Sequence, residues 1–142
     1  MIRPYKIKDK QDLINFWMEN SEMDISDINY LVNKIGKNSL VCYLSDDGCI
    51  KGFVLIQKKE SEYELTIVSK GSSDGYKLMK YLVWHTNKDL YVHFKKWHVN
   101  IKLLKKFGFR YYSTKQSPTF DLVRKFDRKY YFPKKDLRYE HR

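Results

Sequence analysis

The sequence predicts a single α/β (α+β) domain, and three observations carry that expectation. Residues 63–84 read as strand, short polar loop and helix. Glu64-Leu65-Thr66-Ile67-Val68 is an apolar, β-branched run of strand length, and beyond it Leu78, Met79, Leu82 and Val83 share one helical face. Two further apolar runs, 40–44 and 50–57, flank Ser45-Asp46-Asp47-Gly48, and Asp-Gly between such runs signals a hairpin. Two amphipathic helical patterns precede that hairpin. A chain of 142 residues can bury a core of its own without disulfide staples.

Taken in order, residues 2–7 form a plausible edge strand, where Pro4 is tolerated. Asp9 then stands as the N-cap of a first helix whose apolar face is Leu13, Ile14, Phe16 and Trp17. A second helix starts near Asp24, repeats Ile25, Ile28, Leu31, Val32 and Ile35 at helical spacing, and stops at Gly36. The hairpin follows, and Glu60-Ser61-Glu62 turns the chain into the strand at 64–68. After the loop 70–75 comes a helix over 76–87, a strand over 90–94, and a short helix over 99–107 ended by Gly108. Residues 109–113 and 119–126 read as a final hairpin with Ser117-Pro118 in its turn. The order is β-α-α-β-β-β-α-β-α-β-β over residues 1–126. A basic, tyrosine-rich tail follows at 127–142.

Composition narrows the function classes. Lys plus Arg number 28 against 17 Asp plus Glu, a net charge of +11, which attracts polyanions or acidic protein surfaces. Cys42 and Cys49 flank a turn and are expected as free thiols. No Cys/His ligand spacing supports a metal site. The start, Met1-Ile2-Arg3-Pro4-Tyr5, lacks the apolar stretch of a signal peptide, and no apolar run approaches membrane-spanning length, so a cytoplasmic protein is expected.

The chemically suggestive stretch is the loop Lys70-Gly71-Ser72-Ser73-Asp74-Gly75. A strand feeding a helix through such a loop aims free backbone N–H groups at one point, and the helix dipole adds positive potential there; a phosphate suits that junction. The loop resembles the acyl-CoA pyrophosphate loop of the GCN5-related N-acetyltransferases (GNAT), written as Arg or Gln, two residues, Gly, one residue, then Gly or Ala. Lys70 takes the first position, Ser73 replaces the first glycine, and Gly75 matches the second. Asp74 departs from the pattern by placing a negative charge beside the phosphates, although Asp also reads as an N-cap for the following helix. Ile2-Arg3-Pro4, the run Asp47-Gly48-Cys49-Ile50-Lys51-Gly52-Phe53 and the corner Leu104-Lys105-Lys106-Phe107-Gly108-Phe109 resemble family phrases in the same order.

That resemblance implies a mixed, mostly antiparallel central sheet flanked by helices, and acetyl-CoA as co-substrate. It implies cofactor contacts at Val68, Lys70, Gly71, Ser72, Ser73, Asp74, Gly75 and Tyr76, with the backbone of Ile67, Val68 and Ser69 pairing to the pantetheine arm in a notch between the fourth and fifth strands. The acceptor amine then attacks the thioester directly. A base must take its proton, and Glu64, with Glu62 near it, and His93 are the candidates. The tyrosine that serves the family as acid falls on Leu104, and a usual asparagine falls on Trp97; both positions are apolar here.

Three functional readings follow. One is an acyl-CoA-dependent N-acyltransferase. A second is a catalytically eroded GNAT-like protein binding nucleic acid or a macromolecular assembly through the basic, aromatic segment between Lys95 and Arg110 and the tail. A third is a DNA base-modifying acyltransferase. The compact, Lys/Tyr/Asn-rich chain also resembles small phage-encoded members of this fold.

Overall fold

The computed structural model describes residues 1–21, 23–33, 40–59, 62–92, 101–114 and 117–130. Seven strands form one sheet: β1 (Ile2–Pro4), β2 (Leu40–Leu44), β3 (Ile50–Lys59), β4 (Glu62–Ser69), β5 (Leu90–Val92), β6 (Arg110–Thr114) and β7 (Ser117–Arg124). The helices are α1 (Lys10–Asn20), α2 (Ile25–Asn33), α3 (Ser72–His85) and α4 (Ile101–Lys106). The strands lie in the order β1-β2-β3-β4-β5-β7-β6. Only β4 and β5 run parallel; every other neighbouring pair is antiparallel. The predicted element order and the mixed, mostly antiparallel sheet both hold.

Strand alternation distributes the apolar residues to two cores. Val54 and Leu65 face α3 and α4, where Leu78, Met79, Leu82, Leu104 and Phe109 are buried against them. Leu40, Cys42, Phe53 and Leu55 face α1 and α2, meeting Leu13, Phe16, Trp17 and Ile28. The Trp17 and Phe53 rings lie 4.7 Å apart, and each such fully buried side chain contributes about 1.5–3 kcal/mol through removal from water. Burial also pushes the Cys42 thiol up to about 12, so it packs as a small hydrophobe. Cys49 is exposed, and both cysteines are free.

Gly48 takes φ +86° in the β2–β3 turn, which Gly48 N–H closes onto Ser45 O at 3.0 Å. At the end of α4, Gly108 adopts φ +93°, while Phe109 N–H returns to Leu104 O and Gly108 N–H to Lys105 O, the paired bonds of a glycine-terminated helix. Arg124 Nε donates to Phe107 O at 2.8 Å, adding a cation to that carbonyl end.

Asp9 does more than precede α1. It closes a 3-10 turn (Ile7–Asp9) and makes no side-chain cap to the helix. Instead Arg3 donates to both carboxylate oxygens at 2.7 and 2.8 Å, and Lys6 N–H adds a bond of 2.9 Å. The Arg3 guanidinium foremost holds the Asp9 carboxyl below its usual value of 3.8. Because the folded value lies below the unfolded one, the stabilisation is fully present above 3.8 and is lost as pH falls through the depressed folded value. Asp9→Asn is expected to cost about 2 kcal/mol at neutral pH. In urea titrations, the gap to the wild type should stay constant above about pH 5 and close below it. A pH-independent gap would contradict this assignment.

Several boundaries differ from the sequence expectation. β1 ends at Pro4, because residues 7–9 turn to bring Asp9 under Arg3. α3 begins at Ser72 rather than Tyr76, and its N-cap is Gly71, in extended conformation, rather than Asp74. Ser117 and Pro118 lie inside β7, and among the described residues β7 pairs with β5 only at residues 122–124. The second helix stop at Gly36 and the tail beyond 130 lie outside the described residues.

Candidate active site

The site is built where β4 hands the chain to α3. Antiparallel pairing with β3 holds all of β4, from Glu62 opposite Lys59 to Ser69 opposite Gly52. On its other side, β4 pairs with β5 only at Tyr63–Leu90 and Glu64–Tyr91. Leu65 to Ser69 therefore has no strand partner toward β5 among the described residues. From Leu65 to Ser69 this edge, open among the described residues, runs about 13 Å. Among the described residues nothing pairs with it, and an extended ligand that adds to the sheet as a strand would needs such an edge.

At the end of the open edge stands the first turn of α3. Lys70 N–H is occupied by Lys51 O at 3.0 Å, and Gly75 N–H makes the first helical bond, to Gly71 O at 3.1 Å. Among the described residues, the amides of Ser72, Ser73 and Asp74 between them have no acceptor, and no side chain caps the helix. Unpaired donors at the positive end of a 14-residue helix make a cradle for an anion.

Two glycines set its position. A Cβ on Gly75 would stand 2.9 Å from Leu103 Cδ2 and 2.9 Å from Ser69 Oγ, so only glycine lets α3 settle between α4 and the end of β4. A Cβ on Gly52 would meet Leu78 Cδ1 at 2.7 Å and Val68 O at 3.1 Å. Gly75 was singled out by the loop pattern. The role of Gly52 was not, although an isolated glycine inside a strand signals close approach by another element.

The remaining predicted residues fall as follows. Lys70, Gly71, Ser72 and Ser73 are exposed around the cradle. Asp74 is half-buried in the first turn, with Oδ2 3.5 Å from the point where a Gly71 Cβ would lie. Its carboxylate flanks the cradle without taking the amides. Tyr76 is 46% exposed, its ring 5.2 Å from that of Phe107, so it covers the α3–α4 junction beside the cradle. Val68 packs toward the α1–α2 core. Glu64, of the same strand parity, lies on that face at the last β4–β5 pair, where the open edge begins. His93 and Trp97 lie outside the described residues, as does much of the segment between Lys95 and Arg110; Lys102, Lys105, Lys106 and Arg110 are exposed. Leu104 is fully buried in the α3–α4 core. Among the described residues no three His, Cys, Asp or Glu side chains gather as metal ligands, and no helix is long and apolar enough to cross a membrane.

At the level of sequence, no family model and no curated protein matches the chain. Solved structures do. A GNAT-family acetyltransferase from Staphylococcus aureus superposes with TM-score 0.66 at 15% identity, covering 89% of this chain and 99% of that one. The aminoglycoside 6'-N-acetyltransferase of Enterococcus faecium gives 0.65 at 11% identity, covering 89% and 97%. A phosphinothricin acetyltransferase from Sinorhizobium meliloti, solved with AcCoA, gives 0.61 at 14% identity, covering 87% and 84%. By that likeness the chain has the fold of the GCN5-related N-acetyltransferases.

Proposed function

We propose that this protein is an acyl-CoA-dependent N-acyltransferase that moves an acetyl group from acetyl-CoA to an amine. The observation that carries this reading is the cradle of free amides at Ser72, Ser73 and Asp74, placed at the end of the unpaired edge of β4. The amides present suit the ligand: a pyrophosphate offers acceptors only, and backbone N–H groups offer donors only. Bound there, acetyl-CoA supplies an activated thioester carbonyl.

The chain's own groups then divide the work. Amides of the α3 turn hold the phosphates, and the backbone of Ile67, Val68 and Ser69 pairs with the extended arm. Glu64, at the closed end of the open edge, accepts the proton of the attacking amine. No phenol stands at Leu104, so water protonates the departing thiolate. Attack forms the C–N bond and breaks the C–S bond.

Isothermal titration with acetyl-CoA tests the reading, and heat without saturation at millimolar ligand would remove it. Asp74 makes the titration sharper. Its carboxylate repels a pyrophosphate seated on the neighbouring amides, so Asp74→Asn is expected to tighten binding about three- to fivefold. Weaker binding by the variant would show that Asp74 supports the cradle instead.

The burial of Leu104, together with the exposed Lys102, Lys105 and Lys106 on α4, favours a second reading: a catalytically eroded relative that binds nucleic acid. Failure to bind acetyl-CoA, combined with salt-dependent binding of nucleic acid through α4, separates it from the first.

A further inference from the structure

Arg124 ends β7 on the sheet face that Leu122 turns toward α3 and α4, and it is 4% exposed. Its stem passes Gly108, with Cγ and Nε each 3.9 Å from where a Cβ on that glycine would lie. Nε donates to Phe107 O at 2.8 Å. Nη1 is also buried, yet makes no hydrogen bond among the described residues. Burial foremost lowers the Arg124 pKa, and Asp127 and Tyr130 pull the other way. A buried, partly unpaired guanidinium costs stability, and closing a helix end does not require one: a lysine reaching in from solvent suffices. What burial adds is a fixed place for the Phe107 carbonyl. α4 needs such an anchor, since six residues are too few to hold a helix alone.

We propose that Arg124 is a positioning residue: by fixing the Phe107 carbonyl it holds α4 against the first turn of α3 and so sets the amide cradle. The contacts that pass this on are short. Leu103 Cδ2 lies 2.9 Å from a Cβ built on Gly75, and the Phe107 ring centre lies 5.2 Å from that of Tyr76. Gly75 and Tyr76 follow directly on Ser72, Ser73 and Asp74 in α3. When α4 shifts, the cradle amides move with it relative to the open edge of β4. The consequence for acetyl-CoA rests on the reading proposed above; the placement of the α3 turn does not.

Arg124→Gln and Arg124→Met in the full chain test the proposal. The glutamine side-chain nitrogen stands as far along the chain as arginine Nε and keeps an N–H for Phe107 O, whereas methionine puts a methyl group there. In calorimetric titrations with acetyl-CoA, Arg124→Met is expected to bind about tenfold more weakly, and Arg124→Gln within about twofold of the wild type. In amide spectra of the free proteins, Ser72 to Tyr76 should shift in the methionine variant and hold their places in the glutamine variant. A cap that serves stability alone lowers the urea midpoint without changing the affinity of the folded protein. Unchanged affinity in Arg124→Met, equal weakening in both variants, or unmoved Ser72 to Tyr76 amides would each overturn the assignment. A wild type that does not bind acetyl-CoA removes the enzyme reading, and the amide shifts then decide the role of Arg124 by themselves. Should Arg124→Met fail to fold, the wild-type Arg124 Nε–H resonance decides: it should shift along the same saturation curve as the cradle amides, and indifference to saturating acetyl-CoA overturns the assignment.

Discussion

Gly75→Val is expected to destabilise the domain by about 2 kcal/mol and to abolish measurable acetyl-CoA binding. In helix propensity alone valine gains a few tenths of a kcal/mol over glycine. Packing outweighs that gain. A first side-chain atom at residue 75 already lands 2.9 Å from both Leu103 Cδ2 and Ser69 Oγ, and valine adds two more methyl groups in the same gap. Leu103 can rotate its end away, but Ser69 is fixed in the β3–β4 ladder opposite Gly52. Relief comes only by lifting the first turn of α3 off β4. That displaces the Ser72, Ser73 and Asp74 amides relative to the open strand edge, and misplacement by about 1 Å is enough to lose about a hundredfold in function. Urea denaturation and calorimetric titration on the same sample give both effects. A Gly75→Val protein of wild-type stability and affinity would show that the close approach is not needed.

Leu104→Tyr carries the second large effect. By sequence this change restores the family's proton donor, and a gain of activity is the naive expectation. The structure predicts a loss instead. Leu104 is 0% exposed and packs among Leu78, Leu82, Leu90 and Phe109. A phenol there overfills the core and buries a hydroxyl whose neighbours are apolar, so the variant should lose about 3 kcal/mol. Its thermal midpoint should fall by several degrees, with no rise in turnover. Higher acetyl transfer at unchanged stability would mean that residue 104 faces the reaction after all.

Much of the fold was legible in the chain. The apolar runs at 40–44 and 50–57, Asp47-Gly48 between them, and the helical spacing of Leu78, Met79, Leu82 and Val83 each depend on nearby residues only, and a hairpin and a helix formed on them. Gly108 stopped α4 for the same local reason. The start of α3 was harder to read, because Ser72, Ser73 and Asp74 are all good capping types. What selects Gly71 is distant: Leu78 descending onto Gly52, and Gly75 fitting between Ser69 and Leu103. Asp9 likewise reads as a helix cap until Arg3, from the edge strand, claims both its oxygens. The cradle was visible as a motif, since amides need only a strand-to-helix turn. The Arg124–Phe107 bond was not, because it joins residues that approach only after the sheet has formed.

The most direct measurement is an amide nitrogen–proton NMR titration with coenzyme A. Signals of Ser72, Ser73 and Asp74 should move furthest and saturate together, followed by Ile67 to Ser69 along the open edge of β4. Saturation with those six amides unmoved, or with the largest shifts at Lys77 to Trp84 on the opposite side of α3, would contradict the account.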